Sequence, residues 1–248
     1  MSEPIKILGL NISISNYEEI IAEIEDKIHR REILSFHNVN VNIALIYERD
    51  KNFRGSLDKF TKLYSDGIGM YAASKFIYGK NGLKKLITGT DLYYKILELA
   101  NRKSLKCFFF GGSKESTEML PSVLKKNYPG ITVSGIIQRD IKDNPEILEK
   151  IKSASPDILF VGLGTPYQEN WIAGNSEIPS VPIRIAVGSG MEFISGVKKR
   201  APLFFRKSGL EWIYRIYLEP KRLWKRYVFG IPIFLFQIIK FKFKLLTK

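Results

Sequence analysis

Asp66 is the residue on which chemistry is most readily built, because it stands in Tyr64-Ser-Asp-Gly-Ile-Gly69, between an apolar run that reads as a strand and a segment with helical spacing. A carboxylate on a loop above a parallel sheet is placed to take a proton from a substrate hydroxyl. The same position suits a helix N-cap, and from spacing alone the cap is the plainer reading. Asp91, in Thr88-Gly-Thr-Asp91, presents the same pair of alternatives. Three glycine clusters follow apolar runs: Gly111 and Gly112 in Phe110-Gly-Gly-Ser113, Gly162 and Gly164 in Val161-Gly-Leu-Gly-Thr-Pro166, and Gly188 and Gly190 in Val187-Gly-Ser-Gly190. Glycine lets a backbone approach a phosphate at the carboxyl ends of strands, so the set suggests a nucleotide-diphosphate site. None is a G-x-G-x-x-G fingerprint or a P-loop, and each alone is equally a tight connection.

None of the eight aspartates forms an Asp-x-Asp pair, and the one Glu-x-Glu, Glu23 and Glu25, falls on the polar face of a predicted amphipathic helix. No dedicated carboxylate pair is offered to a divalent cation. The expectation is therefore no metal and no cofactor, with the charge of a bound diphosphate met by backbone amides and by Arg or Lys. Cys107 is the only cysteine, so no intramolecular disulfide can form, and its apolar run reads as a buried strand carrying a core thiol.

These residues must be positioned by an alternation of short β-branched or aromatic runs with helix-period segments. Strands are expected near 5–9, 33–39, 62–65, 105–110, 131–136, 157–161 and 183–187; helices near 16–30, 41–48, 52–59, 67–78, 91–102, 114–127, 145–154 and 166–173. The first helix carries a capping box, with Asn16 followed three residues on by Glu19. Alternation of this kind gives parallel strands with crossover helices, and continuously apolar runs such as Ile158-Leu-Phe-Val161 suit a sheet covered on both faces. The fold class is α/β: a Rossmann-like, doubly wound, mostly parallel sheet over residues 1–196, followed by a basic, mainly helical appendage over 197–248.

The charge divides along the same line. Of a net +14, residues 197–248 carry fourteen Lys and Arg against Glu211 and Glu219, which leaves the body close to neutral. Such a tail needs an anionic partner. Its longest uncharged stretch, from Tyr227 to Ile239, is 13 residues, too short to span a bilayer, which takes about 20. Phe234, Ile238, Phe241 and Leu245 fall on one helical stripe and Lys240, Lys244 and Lys248 on another, the pattern of a helix lying in the interface of an anionic membrane. That reading is preferred to a solvated helix packed on its own body and to a nucleic-acid patch. With no apolar segment at the N-terminus to suggest a secretory signal, the expected location is cytoplasmic, peripheral on the inner face of the cell membrane.

Together the motifs resemble the WecB/TagA/CpsF family of bacterial glycosyltransferases (glycosyltransferase family 26), from about Asn38 to Phe236. The most specific block is Ser195-Gly-Val-Lys-Lys-Arg-Ala-Pro202, continuing through Gly209-Leu-Glu-Trp-Ile-Tyr-Arg215 and Glu219-Pro-Lys-Arg222; Asp66-Gly-Ile-Gly69, Thr88-Gly-Thr-Asp91 and Gly162-Leu-Gly-Thr-Pro-Tyr-Gln-Glu169 agree. The resemblance implies a metal-independent, inverting transferase. Its donor would be UDP-N-acetylmannosamine or a related UDP-sugar, and its acceptor an undecaprenyl-diphosphate-linked sugar in cell-surface polysaccharide or teichoic acid assembly. The family's general-base aspartate falls on Asp66. Its donor-site Thr-x-Asn maps onto Asn38-Val-Asn40, so Asn40 matches and the threonine is replaced. Thr90 and Asp91 lie in a matching block, Gln168 and Glu169 match the nucleotide-sugar loop, and Arg215 and Arg222 match arginines of an appendage that completes the active site and meets the membrane. Some members self-associate. Two other readings stay open at this point, a transferase using UDP-glucose or another UDP-hexose, and a noncatalytic membrane-associated protein that binds sugar nucleotides or polyanions.

Overall fold

The computed structural model describes residues 3–139, 146–176, 178 and 181–247, apart from the side chains of Lys207 and Arg222. The described strands are β1 (Ile5–Ile7), β2 (Leu10–Ile12), β3 (Leu34–Val39), β4 (Lys62–Ser65), β5 (Lys106–Gly111), β6 (Thr132–Ile137), β7 (Ile158–Gly162) and β8 (Ile183–Ala186). The helices of the body are α1 (Tyr17–Arg30), α2 (Val41–Arg49), α3 (Lys51–Leu57), α4 (Gly67–Tyr78), α5 (Gly89–Arg102), α6 (Lys114–Asn127), α7 (Glu146–Ala154), α8 (Tyr167–Gly174) and α9 (Gly190–Ile194). Four more follow in the tail: α10 (Leu203–Lys207), α11 (Glu211–Leu218), α12 (Pro220–Val228) and α13 (Gly230–Leu246).

The single strand expected over 5–9 is instead an antiparallel hairpin of β1 and β2, with Leu8 and Gly9 at φ 50° and 84° in the turn. Two left-handed residues make the tight turn whose twist matches its strands, but Leu-Gly is not a dipeptide that announces it. The capping box at Asn16 is present with both of its hydrogen bonds. The other six strands form one all-parallel sheet in the order β4-β3-β8-β7-β5-β6. From β3 the chain moves to the edge at β4, and from β5 to the opposite edge at β6, so the winding reverses within the sheet. Ligands of such sheets bind beyond the carboxyl ends of the strands, near that reversal.

Alternate residues of each strand feed two cores. Phe108, Phe110, Leu159 and Val161 pack with α2, α3, α4, α7 and α8, while Cys107, Phe109, Ile158 and Phe160 pack with α1, α5, α6 and α9. Burial on both faces is why the strands read as unbroken apolar runs. Cys107 is one of these core residues, and burial pushes its thiol pKa up, far from any nucleophilic range. Arg184 is the exception on β8. Fully buried, it donates to the carbonyls of Val181 (3.2 Å), Asn175 (3.1 Å), Ser176 (2.5 Å) and Ile178, and so ties down the segment that enters β8. Burial lowers its pKa to about 10, still well above neutrality.

The last helix corrects one expectation. Phe234 and Ile238 are only 2% and 3% exposed and belong to the core over α2 and α4, with Phe241 packed against it, so these three meet protein rather than lipid, while Leu245, the last of the stripe, is 42% exposed. A run of apolar residues at helical spacing does not say whether its partner is a membrane or a neighbouring helix. The flank of α13 beside that stripe and the side opposite it are exposed and apolar: Leu235 is 54% and Ile239 46% exposed on the flank, and Phe236 68% and Phe243 64% on the far side. Among the described residues no helix is long and apolar enough to cross a membrane.

Candidate active site

Asp66 sits at the N-cap position of α4 but makes no side-chain cap. Its backbone N–H extends the sheet by donating to Val39 O at 2.8 Å, and its carboxylate turns to a different helix. Oδ1 accepts from the N–H of Gly89, the first residue of α5, at 2.9 Å, and Oδ2 accepts from Nδ2 of Asn40 at 3.4 Å. The local cap reading is therefore replaced by a carboxylate held at the N-terminus of α5, where the helix dipole favours negative charge. Because the contact to Oδ2 is long, that oxygen keeps acceptor capacity toward the cleft. Asn40 is itself the N-cap of α2. Its Oδ1 accepts from the N–H groups of Asn42 (3.1 Å) and Ile43 (3.3 Å) and from Nη2 of Arg226 (2.8 Å), which leaves its amide nitrogen for Asp66.

The tail closes over this carboxylate with arginines. Nη2 of Arg215 donates to Oγ1 of Thr90 at 3.3 Å and to Oε1 of Glu211 at 3.0 Å, and the guanidinium lies 4.9 Å from the ring centre of Phe193. Burial alone would lower the pKa of Arg215, but the carboxylates of Glu211 and Asp66 outweigh it and hold the pKa raised. Asp91 completes a cap with Thr88 on α5 and accepts from Nη1 of Arg200 at 2.8 Å, with Arg206 at 3.9 Å. Burial raises the Asp91 pKa, yet the hydrogen bonds from Arg200 and Thr88 and the charges of Arg200 and Arg206 leave it lowered. Several buried guanidinium N–H groups have no protein acceptor: Nε and Nη2 of Arg200, Nε of Arg206 and Nε of Arg215. Donors of this kind suit an anion with several oxygens. Nothing local in the sequence marks Arg200, Arg206 and Arg226 as the ones that point inward among the fourteen basic residues of 197–248, even though Arg200 stands in the block from Ser195 to Pro202. Arg222 lies on α12, and its side chain is outside the described residues.

Between body and tail lies a cavity of about 540 Å³, lined at one end by Asn40, Asp66, Thr88, Arg206, Arg215 and Arg226. Away from Asp66 its walls become apolar, from α4 on one side and α13 on the other.

A second group of expected residues gathers at the ends of β3, β7 and β8. Glu169, fully buried, accepts through Oε1 from Thr165 Oγ1 (2.8 Å) and Gln168 Nε2 (3.0 Å) and pairs with His37 Nε2 at 2.6 Å. Burial raises the Glu169 pKa, but His37 and Gln168 outweigh it and leave it lowered. Gln168 in turn accepts from the N–H of Gly188 at 2.8 Å. Asn38 joins the two groups: Nδ2 donates to the hydroxyl of Tyr93 (3.2 Å), which donates to Ala186 O, and the amide lies beside Gly89. His37 and Tyr93 carry this scaffold although the motifs beside them, Asn38-Val-Asn40 and Thr88-Gly-Thr-Asp91, do not include them: each is an aromatic side chain next to apolar residues and reads as core.

The glycines divide. A Cβ on Gly111 would lie 2.3 Å from the Gly162 carbonyl carbon, and one on Gly112, Gly162 or Gly190 would press on Ser116, Met191 or Tyr93, so these four permit close approach of β5 to β7, of the end of β5 to α6, and of α9 to β7 and α5. Gly164 and Gly188, at φ 80° and 51°, have no such neighbour and leave backbone open at the strand ends. Among the described residues no three His, Cys, Asp or Glu side chains are grouped to hold a metal ion.

The family model described as the glycosyl transferase WecG/TagA/CpsF family matches residues 5–248, tail included. An N-acetylglucosaminyldiphosphoundecaprenol N-acetyl-β-D-mannosaminyltransferase of Bacillus subtilis (strain 168) is 31% identical over 202 residues, 82% of this chain and 77% of its own. Proteins of the same name from Bacillus spizizenii and Staphylococcus aureus (strain NCTC 8325) are 33% and 34% identical, covering 82% and 76% of this chain and 78% and 73% of their own. With the match running through both the α/β body and the arginine-bearing helices that close its cleft, the chain belongs to the WecG/TagA/CpsF family of glycosyl transferases.

Proposed function

We propose that the protein transfers N-acetylmannosamine from its UDP derivative to N-acetylglucosamine carried on a polyprenyl diphosphate, with inversion and without a metal ion. The observation that carries this reading is the pairing, in one cleft, of a carboxylate with a free oxygen face and buried arginine N–H groups lacking acceptors. Asp66 Oδ2 takes the proton of the acceptor hydroxyl as that oxygen bonds to the anomeric carbon, and the bond from that carbon to the β-phosphate oxygen breaks on the opposite face. The electron pair leaves with UDP. Charge growing on its diphosphate is met by Arg215 and Arg206, which line the cleft and are fixed before the reaction by Thr90, Glu211 and Asp91, with Arg200 holding Asp91 in place behind them. The sugar and the acceptor are those for which the Bacillus subtilis and Staphylococcus aureus relatives are named. Exposed Phe236 and Phe243, with the surrounding Lys and Arg, suit docking on an anionic membrane face, where such an acceptor resides.

The test is a panel of UDP-hexoses, UDP-glucose included, offered with a synthetic prenyl-diphosphate N-acetylglucosamine, following UDP release and product anomer. The expected result is selective use of UDP-N-acetylmannosamine with inverted configuration, undiminished in excess EDTA. Preference for UDP-glucose would replace the donor, and chelator-sensitive activity restored by Mg²⁺ would overturn the metal-independent mechanism.

A further inference from the structure

We infer that the apolar end of the cavity is a binding groove for the first isoprene units of the acceptor's lipid, so that the enzyme draws the chain out of the bilayer instead of reading the headgroup alone. The inference rests on the proposed function above and adds a subsite to it. The groove begins at Asp66 and runs along α4, whose residues Gly69, Ala72, Ala73 and Phe76 repeat at helical spacing and line it. Facing them on α13 are Ile231, Phe234, Leu235, Ile238 and Ile239, again one helical face. The bulky side chains of Phe76 and of α13 keep the two helices apart, and Ala72 and Ala73 are too short to fill the space between them, so the faces leave a trough rather than a packed seam. Lys242 lies at the far end, with its amine donating to Phe76 O at 2.8 Å and 4.1 Å from that ring's centre.

The occupant follows from continuity and charge. Ten residues of helix separate Asp66 from Phe76, a rise of about 15 Å. An extended isoprene unit, four backbone bonds long, covers roughly 5 Å on bond lengths near 1.5 Å, so the trough holds about three units. At its other end stand Arg206, Arg215 and Arg226, lining the same cavity. A ligand with an anionic head joined to an apolar chain satisfies both ends at once. Exposed Leu235 and Ile239 carry the trough to the apolar surface of α13, so that a longer chain can remain in the bilayer.

The experiment titrates the full-length protein with inorganic diphosphate and with dimethylallyl, geranyl, farnesyl and geranylgeranyl diphosphates below their aggregation concentrations, following the fluorescence of Trp212, which lines the cavity. Affinity is expected to rise roughly tenfold with each of the first units and to flatten near the third, as apolar surface stops being buried. Ala72→Trp, at an exposed position, should shift the plateau to the first unit; Ile239→Asp tests the opposite wall should the first variant not fold. A series flat from inorganic diphosphate upward, or two folded variants indistinguishable from the native chain, would overturn the groove. Equal displacement by lysophosphatidylglycerol would assign it to a bilayer lipid and overturn it too. Loss of sugar transfer to every acceptor, with the chain-length series intact, would refute the proposed function and leave the groove standing.

Discussion

Replacing Asp66 by Asn tests its proposed role as the base apart from its place in the scaffold. The new side chain keeps an oxygen for the Gly89 N–H, so the tie to α5 survives. Its amide nitrogen, however, then faces Nδ2 of Asn40, and Asn40 is not free to turn over because Oδ1 already serves Asn42, Ile43 and Arg226. Two donors facing each other at 3.4 Å in a half-buried site forfeit one ordinary hydrogen bond, about 1 kcal/mol. For a domain of this size that lowers Tm by roughly 2–4 °C. Losing a positioned base costs far more in rate, about 10²–10⁴-fold, or about 2.7–5.5 kcal/mol of barrier. The assay pairs single-turnover transfer with thermal melting and UDP binding on the same preparation. Turnover within threefold of the native enzyme, or a melting loss of tens of degrees, would refute the assignment and return Asp66 to a structural role.

Arg184→Met should destabilise the fold by roughly 3 kcal/mol or more without touching the cleft, since four carbonyls lose their donor, and chemical denaturation will read it. Asp91 has a lowered native pKa, so its contribution is fully present above the unfolded value of about 4 and is lost as pH falls through the native one; the acid limb of stability should be shallower in Asp91→Asn. Phe236→Ser with Phe243→Ser should weaken sedimentation with anionic vesicles at high salt while leaving Tm near native, whereas Phe234→Ser should lower Tm; the reverse pattern would restore the original stripe as the lipid-facing one. Deleting α13 should expose Leu45 and its neighbours and destabilise the body, which a melting curve on the truncated chain checks.

The sheet was legible because each strand is covered on both faces and so reads as a continuous apolar run, with Cys107 to Phe110 the plainest case. The β1–β2 hairpin was not, because Leu8 takes a left-handed conformation that its side chain does not advertise. At the site, Asp66 and Asn40 could be named from local motifs, yet their bond joins residues 26 apart and depends on how β3 and β4 align. Arg215 could be named from a block of tail sequence. Arg200 stands in such a block too, but the inward turn of Arg200 and Arg206 could not be read there, since their direction is set by Asp91, more than a hundred residues away.

The tail therefore poses no choice between membrane anchor and active-site lid. One face of α13 supplies Phe234 and Ile238 to the core and walls the cavity, while the residues beside them on the same helix, Leu235 and Phe236, stand in the open. A helix so divided cannot shift on a membrane without moving a wall of the cleft, because the side chains are fixed about one backbone. Arg226, one helix earlier, bonds to Asn40, which holds Asp66. A shift of α12 thus reaches the proposed base through two hydrogen bonds, and the membrane docking proposed for the exposed face of α13 would be felt at Asp66 by that route.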